Sequence, residues 1–196
     1  MSDRRVSGTS DSPRRGERRG PPAGNRPPGP PADPTEDLTP KQRQLYEAWT
    51  DFGYRLVQVL QDLQEDEYLI VNLKGSNRFV QFAGQGAHGM RMETVSNYYL
   101  PETEQLGEVQ HDVMLKLGWN APCNLPDEFG HEPVGSPNYY LDVPRPLDFD
   151  RIAALAVSTL LGPLDADHPL DLEYGSFAES GEGIRWPTLG LRRAPN

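Results

Sequence analysis

One cysteine, Cys123, stands in 196 residues. An intramolecular disulfide is therefore excluded, a cysteine-built zinc site is excluded with it, and a reducing cytoplasm is the expected compartment. No run of about eighteen apolar residues occurs, so no membrane-spanning helix is expected. The N-terminus carries arginines without an apolar segment behind them, which does not make a secretory signal. Histidine is also scarce. His88, His111, His131 and His168 include no pair at helical spacing for a metal. His111 and Asp112 are adjacent, and adjacent residues of a helix do not face each other, so they make no dyad. These histidines read as exposed or capping groups. No G-x-S-x-G elbow is present, and Cys123 reads as a free thiol in a loop. No catalytic residue, metal or cofactor is expected.

Charge of one sign dominates part of the chain. The net charge is −10 overall. Residues 41–196 carry 12 basic and 23 acidic residues, a net of −11, whereas residues 1–30 carry seven arginines against three acids. An acidic globule repels nucleic acid, so no nucleic-acid partner is expected for it. Residues 1–36 have almost no aliphatic side chain and many prolines and glycines. Such a stretch cannot bury enough apolar surface to offset its ordering entropy, and it reads as a disordered tail. Pro27-Pro28-Gly29-Pro30-Pro31 within it favours a stiff polyproline conformation. Arg4-Arg5-Val6-Ser7 fits the pattern of a basophilic kinase site.

What is present begins at Thr39. Thr39-Pro40-Lys41-Gln42 combines a capping threonine, a proline at the first helical position and a glutamine that closes a capping box. Leu45, Trp49, Phe52, Leu56, Val59, Leu60 and Leu63 then recur at steps of three and four, so an amphipathic helix is predicted to about residue 64. Residues 67–73, 78–83 and 90–99 are rich in β-branched and aromatic side chains and are separated by glycine turns. They predict three strands in an antiparallel meander, because parallel strands need long crossovers.

Leu106, Val109, Val113 and Leu117 mark a second helix ended by Gly118. A loop with Pro122, Pro126, Pro133 and Pro137 leads to a fourth strand over 138–143. Asp148 caps a third helix closed by Gly162, and a fifth strand is predicted over 170–177. Residues 179–196 read as weakly structured, with Ile184, Trp186 and Leu189 available to dock back. The order α-βββ-α-β-α-β predicts an α+β fold, a curved antiparallel sheet with helices on one face, built from residues 37–178.

Gly84-Gln85-Gly86-Ala87-His88-Gly89 matches the dinucleotide fingerprint, but that chemistry needs the loop to open a helix. Here it opens Met90-Arg91-Met92-Glu93, which reads as a strand, so a hairpin turn is expected.

The strands are apolar on both faces. Leu69, Val71, Val80 and Phe82 form one face, and Tyr68, Ile70, Phe79 and Gln81 the other. If helices cover one face only, the second exposes an apolar patch, which marks a binding surface unless the loop 119–137 or a second subunit covers it. Met90 and Met92 on the third strand are expected to join that patch, as adaptable contacts. Tyr68, Ile70, Phe79, Gln81, Met90 and Met92 are the candidate client-binding residues.

Several short motifs sit together in this frame: Trp49 and Leu60, Phe79-Val80-Gln81-Phe82, Glu93-Thr94-Val95-Ser96-Asn97 with Leu100, Leu117-Gly118-Trp119 before Pro122, Pro137-Asn138-Tyr139-Tyr140, and Pro169-Leu170 with Leu172 and Tyr174. In them the chain resembles the TY-Chap domain, an actinobacterial group related to type III secretion chaperones and the YbjN proteins. Tyr139 stands where a tryptophan is expected. The resemblance implies a type III secretion chaperone-like fold and a non-enzymatic peptide-binding chaperone or adaptor that holds segments of a client protein. It implies no catalytic residues, and a homodimer fits it. The alternative is a structural or regulatory subunit of a larger assembly, with the apolar face permanently buried.

Overall fold

The computed structural model describes residues 35–126 and 134–195. The expected tail, apart from Thr35 and Glu36, lies outside the described residues, as do His131 and Pro133. Helix α1 (Pro40–Asp62) starts at the predicted capping box. The Gln42 backbone N–H donates to Thr39 Oγ1 at 3.3 Å, and the Thr39 N–H donates to Gln42 Oε1 at 3.0 Å. The stripe of Trp49, Phe52, Leu56, Val59 and Leu60 is buried. Trp49 meets Phe52 edge to face, with centroids 5.9 Å apart.

The remaining elements follow in the predicted order: β1 (Glu67–Leu73), β2 (Phe79–Gly84), β3 (Met90–Thr94), α2 (Glu108–Leu117), β4 (Tyr139–Val143), α3 (Phe149–Leu161) and β5 (Leu172–Ala178). A two-residue strand, β6 (Arg192–Arg193), adds an edge that the periodicity did not reveal. The fold is α+β, and one curved sheet runs β4-β3-β2-β1-β5-β6. Every pair is antiparallel except β5 with β6. Gly118 ends α2 in the left-handed region, at φ 102°. Asp148 caps α3, its side chain accepting from the Arg151 N–H.

Register and burial divide the two faces. Leu69, Val71, Val80, Phe82, Met90, Met92 and Tyr174 are buried in one cluster with Trp49, Phe52, Leu56, Met114, Ile152 and Leu160 of the helices. All three helices therefore contribute to the core on the same side of the sheet. Within it, Trp119 Nε1 donates to Thr159 Oγ1 at 2.9 Å. Among the described residues, no helix is long and apolar enough to cross a membrane.

Three local outcomes differ from the sequence reading. β3 ends at Thr94 instead of running to Tyr99. The Asn97 side chain explains the exit: it accepts from the Leu106 N–H at 2.7 Å and donates to the Leu106 carbonyl at 2.8 Å, pulling the chain towards α2. β5 starts at Leu172, after a 3-10 turn over Pro169–Asp171. His168 Nδ1 caps that turn, accepting from the Leu170 N–H at 3.0 Å. On α2 the buried residue is Met114, and Val109 points outward at 77% exposure.

The C-terminal segment docks against β5 and α1. Trp186 Nε1 donates to Ser176 Oγ at 2.8 Å, its backbone N–H donates to the Tyr174 hydroxyl at 3.0 Å, and Leu189 is fully buried.

Candidate functional site

The register sets out the far side of the sheet row by row. One row reads Phe177, Tyr68, Ala83, Arg91 and Asp142 across β5, β1, β2, β3 and β4. The next reads Gly175, Ile70, Gln81, Glu93 and Tyr140. A third holds Glu173, Asn72 and Phe79. Over β5, β1 and β2 the face thus mixes Phe177, Tyr68, Ile70 and Phe79 with the polar Glu173, Asn72 and Gln81, and over β3 and β4 it is charged, with Tyr140 among the charges.

The two halves differ in cover. Over β3 and β4, Arg91 bridges Glu93 at 2.9 Å and Asp142 at 3.4 Å, and its guanidinium lies over the Tyr140 ring. The same guanidinium donates to the carbonyls of Val134 and Gly135, each at 3.3 Å, which ties the loop before β4 to this half. Over the other half no helix lies among the described residues, and Arg193, Ala194 and Pro195 line only its β6 margin. A Cβ built on Gly175 meets nothing within 4 Å, so free space stands beside Ile70. Tyr68 and Phe177 stack there, and Phe177 is 38% exposed.

Four of the six candidate residues, Tyr68, Ile70, Phe79 and Gln81, lie on this face. Phe79 also packs against the core at its margin. Met90 and Met92 do not lie there, and the expectation that they join the patch is corrected. Met92 pairs with Phe82, and Met90 with Gly84, so both fall in the rows under the helices, at 0% and 1% exposure. The β1 and β2 alternation was readable from composition. β3 alternates methionine with charge, and the apolar methionines take the core while Arg91 and Glu93 take the open side. That alternation was the available signal. Phe177 and Gly175 were missed because β5 joins β1 only through long-range pairing.

Both sheet edges are guarded. On β4, Asp142 is exposed, Pro144 follows the strand, and Asn120 exchanges backbone hydrogen bonds with Tyr140 at 2.9 and 3.3 Å. At the opposite edge β6 is only two arginines long. Charge, proline and short length are the usual means of blocking strand addition. A separate cleft of about 390 Å³ lies between β4 and the helices, lined by Leu117, Leu141, Val143, Ile152 and Leu155, with Arg151 among its polar groups.

Among the described residues the remaining candidates form no constellation. The loop containing Gly84 and Gly89 carries a 3-10 turn, Gly86–His88, and opens β3 rather than a long helix. Gly89, at φ 108°, is required: a Cβ there would run into the Val143 carbonyl oxygen. His88 is exposed. His111 Nδ1 lies 2.7 Å from the Tyr139 hydroxyl, and burial pushes the Tyr139 phenol above its ordinary pKa. The Cys123 thiol lies 3.9 Å from the Tyr140 hydroxyl. Among the described residues, no group of three or more His, Cys, Asp or Glu is placed to hold a metal ion.

The sequence model of one family matches residues 42–178, more than two thirds of the chain; its description reads TY-Chap3, "T3SS (YopN, CesT) and YbjN peptide-binding chaperone 3". No curated protein and no solved structure matches.

Proposed function

The chain belongs to the TY-Chap3 family of peptide-binding chaperones, and on that premise we propose that it holds extended segments of a client polypeptide on the open face of its sheet, in the cytoplasm and without catalysis. The observation that carries this reading is the space beside Ile70. Gly175 leaves a gap in the row beside Ile70 and next to the Tyr68–Phe177 stack, and Arg193, Ala194 and Pro195 line its outer side. An extended segment laid on that strip would bury alternate apolar side chains against Tyr68, Ile70 and Phe177. Its outward residues would remain in water. Gln81 and Asn72 supply donors and acceptors beside the strip, which suits a peptide backbone. The guarded edges favour the face over strand addition.

Holding of this kind draws on apolar burial at roughly 25 cal/mol per Å² and needs no nucleotide. Most of that gain is offset by the ordering of the bound segment, so each single segment binds weakly.

An array of overlapping peptides of mixed composition, probed with the full chain and with Ile70→Asp and Phe79→Asp variants, tests the reading. The expected result is binding to apolar extended segments that both variants lose while their circular dichroism stays unchanged. Capture that survives in the Ile70→Asp variant moves the site off this face. Purification only in obligate complex with a partner points instead to a subunit whose face is permanently covered.

A further inference from the structure

We infer that the client segment is basic as well as apolar, with a lysine or arginine at the Asp66 and Glu179 end of the Tyr68–Phe177 stack; the inference rests on the reading that the open face holds peptide. The apolar strip is not neutral at both ends. Tyr68 and Phe177 are opposite each other on β1 and β5, and two residues further along the same pair the Glu179 N–H donates to the Asp66 carbonyl at 2.8 Å. Asp66, Glu179 and Glu182 are exposed at this end of the sheet, and the Ala178 N–H donates to the Glu182 carbonyl at 2.8 Å. Among the described residues none of the three is in an ion pair. Arg193, whose guanidinium lies against Gly183 and which lines one hollow with Gly175 and Phe177, pairs with none of them either, so it marks the β6 side of the strip and leaves the carboxylate end to the client.

Aromatic rings and, two residues along the same strand pair, carboxylates that make no ion pair among the described residues attract a cation together. The ring faces present negative quadrupole density, and the carboxylates add full negative charge. The charge of the globular part has the same sign, at −11 for residues 41–196. It draws a basic segment in from a distance and repels an acidic one. The occupant is therefore a polypeptide segment that alternates aliphatic residues with lysine or arginine. The aliphatic side chains settle beside Ile70 in the gap at Gly175. The cationic ones reach the Asp66 and Glu179 end.

Three synthetic peptides with the same alternating leucines test this, one with arginine, one with serine and one with glutamate between them. Fluorescence anisotropy with the full chain gives the affinities at low and high salt. The arginine peptide should bind about tenfold tighter than the serine peptide, a difference of ~1.4 kcal/mol, and the glutamate peptide weaker than both. The advantage should shrink at high salt. An Asp66→Asn, Glu179→Gln double variant should lose most of that advantage while its serine-peptide affinity stays unchanged; asparagine tolerates the left-handed backbone of Asp66, at φ 59°. Equal affinity for the arginine and serine peptides overturns the basic preference and leaves the peptide-holding reading standing. Failure of all three peptides to bind overturns both. A chain that sediments as a dimer, dissolved by Ile70→Asp, shows that a second copy covers the face, and the inference falls.

Discussion

Tyr68 and Phe177 stack across the β1–β5 pair, with centroids 5.1 Å apart and ring planes 19° from parallel. The stack joins residues more than a hundred positions apart and sits on the face that none of the described helices covers. An aromatic pair of this kind contributes about 0.5–1.5 kcal/mol beyond its area. Phe177 is partly exposed, so little else is lost when it is shortened. Phe177→Ala should lower the unfolding free energy by about 1–2 kcal/mol, measured by urea denaturation. A loss of the size of a core deletion would mean that Phe177 is buried in solution by something the open face does not show.

Gly175 leads to an opposite expectation for stability and binding. Its φ is not positive, and a Cβ there meets nothing. Glycine inside a strand costs roughly 0.5–1 kcal/mol of backbone entropy, and valine suits a half-buried pleat. Gly175→Val should therefore raise the urea midpoint slightly or leave it unchanged. It should also fill the space beside Ile70 and abolish peptide binding. A variant that is stable and still binds would place the peptide elsewhere on the molecule.

Met92 and Ile70 separate the two faces by energetics. Met92 is fully buried between Phe82 and Leu141, whereas Ile70 is half-buried on the open side. Met92→Ala should cost about 2–5 kcal/mol through lost burial and a residual cavity. Ile70→Ala should cost clearly less, because its site adjoins solvent and leaves no sealed void. Comparable losses in parallel chemical denaturations would contradict this assignment of faces.

The element order was legible because each helix announces itself locally. Thr39 with Gln42, Asp148, and Gly118 are start and stop signals that act within a few residues. The two faces of β1 and β2 were legible for the same reason, since alternation is a local property. What was not legible depends on distant partners. The end of β3 is set by Asn97 bonding to Leu106, and the start of β5 by the turn that His168 caps. β6 exists only because β5 offers it an edge. Methionine gave the wrong impression of a site. It is common on adaptable surfaces, but here it alternates with Arg91 and Glu93, and the chain buries the apolar partner of each pair. The apolar half of the open face needed β5 to complete it, and no local pattern links Phe177 to Tyr68.

Thr159 holds a buried polar pair together. Its hydroxyl accepts from Trp119 Nε1 at 2.9 Å and donates to the Leu155 carbonyl at 2.8 Å. Both Thr159 and Trp119 are buried, at 0% and 2% exposure. Valine has nearly the same shape and no acceptor, so Thr159→Val leaves the indole N–H sealed from water and unpaired. The expected loss is about 1–3 kcal/mol. Thr159→Ser keeps the acceptor and should recover a large part of it. If serine and valine destabilise equally, the missing methyl or altered packing matters more than the hydrogen bond.

Tyr139 gives the fold a dependence on alkaline pH. Burial disfavours the charged tyrosinate, so the phenol in the folded protein holds its proton above the ordinary pKa near 10. Between that value and the raised one, the unfolded chain releases the proton while the folded chain retains it. The unfolded state then binds fewer protons, and the unfolding free energy falls as pH rises. The contribution is fully present below about pH 10 and is lost as pH rises through the folded value. Tyr139→Phe should cost about 0.5–1.5 kcal/mol at neutral pH through the lost contact with His111, because the hydroxyl and Nδ1 are 2.7 Å apart. Above about pH 10 the same variant should decline less steeply than the parent chain. Urea midpoints followed from about pH 8 to about pH 11 resolve the two slopes, and parallel slopes would show that Tyr139 is not the group that titrates.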